Sequence, residues 1–338
     1  MASSIKDVAA LAGVSVGTVS NVLNRPAVVS SATLARVHQA ITDLGFVRNE
    51  SARQLRAGRS HTIALVVLDS SNPFFNDVAA GAEDLAFERG LMVMVCNSHE
   101  DSTREERYLR LLEEQRVQGV LITPTLDGPS SRLEELVARG TPVVLVDRGA
   151  GRPNQCSAAV DDVLGGKIAA DHLLGQGHHR LGFVGGPAGL RQVADRLRGF
   201  QDSAAGAGAE VIVYASAGLT VAQGREAAGR LAGVESSARP TAVFCANDLL
   251  SMGVLQELTQ REIRIPQDVA IIGYDDIEYA AAAAIPLSSI RQPREDLGRA
   301  AVGLLLDEID LGAAHRHRQI VFEPELVVRQ SSLWSVQP

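Results

Sequence analysis

Hydrophobic residues follow two different periods along the chain. Up to about residue 47 they recur at helical spacing; beyond residue 60 they gather into short continuous runs separated by amphipathic stretches. In the first region Ile5, Val8, Ala9 and Ala12 lie on one helical face, with Ser4 as N-cap, Asp7 three residues on, and Gly13 as the stop. Ser15 caps a second helix whose apolar side is Val19, Val22 and Leu23. A third is predicted over Ser31 to Leu44, with Val37, Ile41 and Leu44 inward and Gly45 ending it. Three short helices bury little surface, so Val14, Val19, Leu23, Val37 and Phe46 are expected to share one small core.

The tight link Ala12-Gly13-Val14-Ser15 is the turn of a helix-turn-helix unit. Such a unit points the start of its second helix into a DNA major groove. The outward positions there are Val16, Gly17, Thr18, Ser20, Asn21 and Asn24, all small or polar. Asn pairs bidentately with adenine and Val meets a thymine methyl. Ser15, Thr18, Ser20 and Asn24 have the chemistry of phosphate contacts, whereas Gly17 offers no side chain for reading a base. Gly13-Val14-Ser15-Val16-Gly17 also fits the GxSxG pattern of hydrolases. That motif requires a strand before it, and here helices flank it on both sides.

Residues 49–56 predict one or two helical turns closed by Gly58, too short to be stable alone in water. Leu55 is the large apolar residue of this stretch, and Arg53, Arg56 and Arg59 surround it. An apolar wedge among arginines suits insertion into a minor groove; a plain linker with Leu55 packed on the body is the alternative.

The body predicts an α/β fold. Runs at Ile63–Leu68, Leu91–Cys96, Gly119–Thr123, Pro142–Val146, Leu181–Val184, Val211–Tyr214, Thr241–Cys245, Val269–Ile272 and Ile320–Phe322 lack alternation. They are expected to be parallel strands buried on both faces. Amphipathic stretches such as Val78–Arg89, Glu105–Gln115, Gly165–Leu174 and Leu249–Gln260 supply the crossovers. About nine strands exceed one open sheet, so two doubly wound parallel-sheet lobes are expected.

Ligands of such sheets bind at the carboxyl ends of the strands. There the sequence has Asp69 to Phe75, Asp147-Arg148, Asp161-Asp162, Asn247-Asp248 and Asp275-Asp276, with Arg196 near a helix start. Carboxylates, amides and arginines beside an aromatic pair suit a sugar, whose hydroxyls they bind and whose ring face the aromatic covers. Asn72, Asp162 and Asp248 are expected to be helix caps instead.

Charge sharpens the division. The whole chain carries a net −8, yet residues 1–60 hold seven bases (Lys6, Arg25, Arg36, Arg48, Arg53, Arg56, Arg59) and three acids (Asp7, Asp43, Glu50), a net of +4. The remainder has 25 bases and 37 acids, a net of −12. A basic head on an acidic body directs one end alone toward phosphates. Cys96, Cys156 and Cys245 are far apart with no CxxC pair, so neither a disulfide nor a zinc site is expected, and a reducing cytosol suits them. His315-Arg316-His317 has no carboxylate or cysteine at ligand spacing and predicts an exposed loop, so no metal and no cofactor are expected. His178-His179 predicts a structural turn. No apolar stretch approaches the roughly 20 residues of a membrane span, and the N-terminus lacks the apolar core of a secretory signal. There is no Walker A loop, and Gly185-Gly186-Pro187 lacks the GxGxxG spacing, which disfavours a nucleotide-dependent enzyme; no catalytic constellation is found.

Taken in order, Ile5-Lys6-Asp7-Val8-Ala9, Ala12-Gly13-Val14-Ser15, Thr18 to Asn24, Ala52-Arg53-Gln54-Leu55, Ser71-Asn72-Pro73-Phe74-Phe75, Pro240 to Phe244, Asn247-Asp248, Gly273-Tyr274-Asp275-Asp276 and Arg291-Gln292-Pro293 resemble the lactose-repressor/galactose-repressor family of bacterial transcription regulators. The resemblance covers essentially the whole chain. It implies a body like that of periplasmic sugar-binding proteins and a cytoplasmic homodimer on a pseudo-palindromic double-stranded DNA operator. The contacts it implies are Ser15, Val16, Gly17, Thr18, Ser20, Asn21 and Asn24 in each half-site, with Leu55 and Arg56 at the centre. It also implies an effector cleft lined by Phe74, Arg148, Arg196, Asn247, Asp275 and Gln292, with Asp69 and Asp161 as further candidates. The sequence departs from the family at Arg48, often Pro; at Gly17; and at Leu219, where many members carry an aromatic over the ligand. No heptad tail follows the body, so a C-terminal coiled-coil tetramer is not expected.

The expected organisation is a headpiece over 1–47, a hinge over 48–60 and an effector and dimerisation domain over 61–338. Within the last, one lobe takes about 61–160 and 293–320, the other about 161–292 and 321–338. The rival readings are an extracytoplasmic sugar-binding protein, a Rossmann-type oxidoreductase, or a regulator controlled by a phosphoprotein partner.

Overall fold

The computed structural model describes residues 3–47, 60–125, 131–187 and 189–333. The chain divides into two units, Met1–Ser60 and His61–Pro338. The hinge residues 48–59, with Leu55 and Arg56, lie outside the described residues.

In the first unit, helices α1 (Ile5–Ala12), α2 (Val16–Asn24) and α3 (Ser31–Leu44) begin and end at the residues their caps dictate. Ser4 and Asp7 form a reciprocal capping box, the Ser4 N–H donating to Asp7 Oδ2 at 2.8 Å. Gly13 and Gly45 both adopt left-handed φ, 62° and 56°, which lets the chain turn without a Cβ clash. A short 3-10 turn, Pro26–Val28, was not expected from sequence. The core is built from Val8, Ala9, Ala12, Val19, Val22, Val37 and Ala40, against which Val14, Leu23, Ile41, Leu44 and Phe46 pack half-buried.

The second unit contains two six-stranded sheets. One has the order β11-β5-β4-β3-β1-β2, formed by Gln319–Phe322, Cys156–Val160, Val143–Val146, Val120–Ile122, Thr62–Val67 and Met92–Asn97, and every pair is parallel. The other has the order β12-β10-β9-β8-β6-β7, formed by Glu325–Val327, Ser288–Arg291, Ala270–Asp275, Ala242–Cys245, Arg180–Gly185 and Glu210–Ala215. Only β12 runs antiparallel to its neighbour. Helices α4 (Pro73–Glu88), α5 (Ser102–Glu114), α6 (Ser131–Ala138) and α12 (Arg294–Leu311) cover the first sheet. Helices α7 (Asp162–Gly175), α8 (Arg191–Gly206), α9 (Val221–Ala232) and α10 (Asp248–Gln260) cover the second, and α11 (Glu278–Ala282) follows β9.

The nine apolar runs all form strands, but three correct the expectation of burial on both faces. Leu91–Cys96, Val211–Tyr214 and Ile320–Phe322 become edge strands, so Met92, Met94, Val95, Val213 and Val321 are exposed. Strands β5, β10 and β12 were missed. Among the described residues the chain passes between the sheets three times: at Asp161, at 292–293 and at 323–324. The last crossing falls just beyond the sequence boundary because β11 continues to Phe322, paired with Val160. His315 to His317 form the predicted loop, exposed at Arg316 and His317, but His315 is half-buried, and the partners not seen at ligand spacing in the sequence are met in the fold: both imidazoles touch Cys156, beside Glu308.

Glycines set how closely the helices approach. In each of the pairs α4/α12, α7/α8 and α9/α10, a glycine on one helix faces a backbone carbonyl of the other, reciprocally. Gly81 faces Glu295 and Gly298 faces Val78; Gly166 faces Arg196 and Gly199 faces Val163; Gly224 faces Leu250 and Gly253 faces Val221. A methyl group at any of the six would overlap that carbonyl oxygen, and backbone cannot swing aside as a side chain does. Gly199→Ala is therefore expected to destabilise the body by about 1–3 kcal/mol or more, read from the urea unfolding midpoint. A midpoint unchanged from wild type would show that α7 and α8 separate without cost.

Candidate functional site: a cleft between two sheets

The carboxyl ends of the central strands of both sheets deliver a cluster of charged side chains into one cleft. Asp147 directly follows β4 and Asp275 ends β9, both buried and both at positive φ, 56° and 103°. Non-glycine residues pay for such backbone, typically 1–3 kcal/mol, so the surroundings must hold them there. Between them stands Arg196 on α8, only 4 % exposed. Its Nε donates to Asp162 Oδ1 at 2.7 Å, its Nη1 to the Ala246 carbonyl at 2.7 Å, and its guanidinium lies 3.7 Å from the Tyr274 ring centroid.

Three carboxylates thus share one cation. Burial opposes the charge of Arg196, but Asp162, Asp275 and Asp147 outweigh it and hold the guanidinium protonated above the ordinary arginine range. Burial pushes all three carboxyls upward; Asp162 and Asp275 push Asp147 further by repulsion. Asp275 rises to about 6, with Arg196 and hydrogen bonds from Asn72 and Gln292 limiting the rise.

Hydrogen bonds cross the cleft. Asn72 Nδ2 donates to Asp275 Oδ2 at 3.2 Å, and Gln192 Nε2 donates to Asp147 Oδ2 at 3.1 Å. Arg294, at the start of α12, donates through Nη1 to the Asp276 carbonyl at 2.7 Å. The free volume left is about 30 Å³, room for roughly one water. Phe74 and Phe75 meet edge to face at 4.9 Å and give the cleft its apolar wall, with Leu190, Val193 and Leu219.

Of the residues singled out in the sequence, Asp69, Phe74, Arg196, Asn247 and Asp275 line this cleft. Gln292 lies directly behind it, donating to Asp275 Oδ1 at 2.8 Å. Arg148 and Asp161 are not brought to it. Arg148 faces a separate opening of about 610 Å³, and Asp161 caps α7 by accepting from the Leu164 N–H at 2.9 Å. The capping expectation is corrected by one residue in two places. Asp161 and Asn247 are the caps, while Asp162 binds Arg196 and Asp248 accepts from Ser289 Oγ at 2.7 Å. Asn72 is a cap as expected, and its amide also reaches across the cleft. Sequence reasoning left Asp147 unassigned beside Arg148, and it missed Gln192 and Glu100. A strand buried on both faces has no alternation to say which of two terminal residues turns inward.

On the separate headpiece, Val16, Gly17, Asn21 and Asn24 are exposed along α2, with Thr18 and Ser20 half-buried. Ser15 Oγ accepts from the Thr18 N–H at 3.1 Å, and Asn24 Nδ2 donates to the Ser20 carbonyl at 2.8 Å.

Residues 4–49 match the profile of bacterial regulatory proteins, lacI family, and residues 170–332 match that of the periplasmic binding protein-like domain. Over 337 residues, 98 % of each chain, the sequence is 34 % identical to the HTH-type transcriptional repressor PurR of Aliivibrio fischeri strain MJ11. The chain belongs to the LacI family of bacterial regulatory proteins. It is a transcription regulator and not an enzyme. Another LacI-family relative, the ribose operon repressor of Escherichia coli strain K12, is 34 % identical over 342 residues, 98 % of this chain and 100 % of that one. The solved complex of the transcriptional regulator CelR with cellobiose superposes with a TM-score of 0.72 at 32 % identity, covering 97 % of this chain and 99 % of that one.

The acid cluster makes a pH prediction. Asp275 titrates near 6 in the folded body, above the ordinary carboxylate value of 3.8. Between those values the folded chain holds a proton that the unfolded chain has released. Stability from this group is therefore full below the lower value and is lost as pH rises through about 6. Melting temperatures measured from pH 5 to 7.5 should fall along this path, and Asp275→Asn should flatten the slope. An identical slope in the variant would place the proton elsewhere.

Proposed function

We propose that this regulator is a repressor that binds a pseudo-palindromic operator as a homodimer and is released by a small-molecule effector, a sugar or sugar derivative. The observation that carries the reading is one chain holding both a headpiece with a small, polar, exposed helix face and a two-lobed cleft of fixed charges. Ser15, Val16, Thr18, Ser20, Asn21 and Asn24 would meet one half-site, with Gly17 allowing close approach. Leu55 and Arg56 would act at the operator centre. Asp69, Phe74, Arg196, Asn247 and Asp275 would hold the effector, with Gln292 steadying Asp275. Planar charged groups binding hydroxyls and a phenyl ring covering an apolar face suit a sugar. The names of relatives point the same way: one is a ribose operon repressor and another was solved with cellobiose. Such a regulator works in the cytoplasm, associated with the nucleoid when bound to DNA.

A second copy of the chain is the partner that fits the free edge of the first sheet. Phe87 is 82 % exposed and Met92 59 %, with Met94, Val95 and Leu111 beside or near them on β2 and its covering helices. Apolar side chains of this size on an edge strand favour burial against another surface.

For signalling, the bonds Asn72–Asp275 and Gln192–Asp147 matter most, because an effector entering a cleft of this size must replace them. Replacing them alters the angle between the lobes, and so the spacing of the two hinges in a dimer. Such coupling is typically worth about 1–3 kcal/mol, a 5–150-fold change in DNA affinity. The test is selection of duplexes from a random pool by the full-length chain. An enriched inverted repeat is expected; enrichment of no sequence, or of one lacking two-fold symmetry, would overturn the reading.

A further inference from the structure

Away from the cleft, at the opposite end of the first sheet, four side chains with metal-binding atoms converge. They are Cys156 at the start of β5, Glu308 in the last turn of α12, and His315 and His317 in the link from α12 to β11. One ligand atom from each lies within 4.8 Å of every other. Cys156 Sγ is 3.2 Å from His315 Nε2 and 3.6 Å from His317 Nδ1, and His317 Nδ1 is 4.0 Å from Glu308 Oε2.

We propose that Cys156, Glu308, His315 and His317 form a zinc site that clasps the α12–β11 link to the sheet. Zinc takes thiolate at about 2.3 Å and imidazole at about 2.0–2.1 Å in a tetrahedron, which separates neighbouring ligand atoms by roughly 3.5 Å. The observed spacings bracket that value, so closing on a metal requires only small side-chain adjustments. The donor set of one sulfur, two imidazole nitrogens and one carboxylate oxygen favours zinc over calcium or magnesium, which take oxygen ligands.

Two further observations point to a ligand here. Glu308 Oε2 and His315 Nδ1 are buried atoms with no hydrogen-bond partner. Buried polar atoms without partners are uncommon, because each forfeits hydration for nothing. A cation between Glu308 and the imidazoles satisfies the first directly. The backbone N–H of Arg318 also points at Cys156 Sγ at 3.4 Å, a contact that stabilises a thiolate. On binding, the Cys156 thiol proton leaves to solvent. The opening of about 610 Å³ that Arg148 faces is lined also by Glu308 and His317 and gives a hydrated ion its access.

The site would do structural work. It joins three segments, more than 150 residues apart at the extremes, just before the third crossing between lobes. Zinc there would stiffen one of the three connections on which any change of lobe angle depends.

The test uses the untagged full-length chain, stripped with a chelator and titrated with zinc in competition with a chromophoric indicator, then with cobalt as a spectroscopic probe. One zinc per chain is expected, and the cobalt form should show tetrahedral d–d bands with sulfur-to-cobalt charge transfer. Cys156→Ser should remove the charge-transfer band and weaken zinc binding at least 100-fold. His317→Ala, at an exposed position, should weaken it at least 10-fold with the metal-free melting temperature unchanged, which keeps the test sound should Cys156→Ser misfold. Cys245→Ser should leave the bands intact. Absence of stoichiometric zinc, or binding that survives Cys156→Ser and His317→Ala together, would overturn the site and leave a cysteine–histidine hydrogen bond in its place.

Discussion

Replacing Arg196 with alanine is expected to cost the body about 3–5 kcal/mol and to abolish its response to effector. Asp147, Asp162 and Asp275 are all buried, and Arg196 is the cation that the three share. Without it, the carboxylates repel one another in a medium that cannot screen them, and they must protonate or admit water. The Ala246 carbonyl and the Tyr274 ring lose their partner as well. Arg196→Lys keeps the charge but cannot form both directed bonds while lying flat on the ring, so it should fold better than alanine and still respond poorly. Urea unfolding measures the first effect, and effector titration of the DNA complex the second. A loss below about 1 kcal/mol for alanine would mean that the acid cluster is held neutral by its own protons, and that Arg196 does not organise the cleft.

The second large effect is expected on the headpiece. Val16→Asp with Asn21→Asp should weaken specific operator binding between about 30-fold and 10⁴-fold. Each lost base contact is worth about 1–3 kcal/mol, and every tenfold is about 1.4 kcal/mol. Both side chains are exposed, and an acid at Val16 sits at a helix N-terminus, where negative charge is favoured. The fold should therefore survive, as circular dichroism would check. Wild-type affinity in the folded double variant would move DNA recognition off this helix.

Much of this was legible in the sequence because the headpiece is specified locally. Ser4 with Asp7, Ser15 and the stops at Gly13 and Gly45 each act within a few residues, and the helix boundaries follow from them. In the body, apolar runs gave nine strands but not β5, β10 or β12. Strand β10 is Ser288-Ser289-Ile290-Arg291, polar in sequence yet buried at both serines. Their hydroxyls are satisfied by the Arg329 carbonyl and by Asp248, residues 41 positions away in each case. No local pattern announces such partners. The reciprocal glycines are equally silent until the helix pairs are known.

In the cleft, position at strand ends and a helix start identified Asp69, Phe74, Arg196, Asn247 and Asp275, and the resemblance added Gln292. Gln192 escaped because it lies on a helix and acts across the cleft through Asp147. The cysteine–histidine cluster escaped for the same reason at larger scale: Cys156 and His317 are 161 residues apart.

The most direct measurement is fluorescence anisotropy of the full-length chain on the palindromic duplex it selects, at two salt concentrations, with and without a panel of sugars. Tight binding that weakens with salt, and that one sugar weakens further at unchanged salt, is the predicted result. Equal affinity for that duplex and for random DNA, or specific binding that no ligand shifts in either direction, would contradict a repressor governed through the cleft.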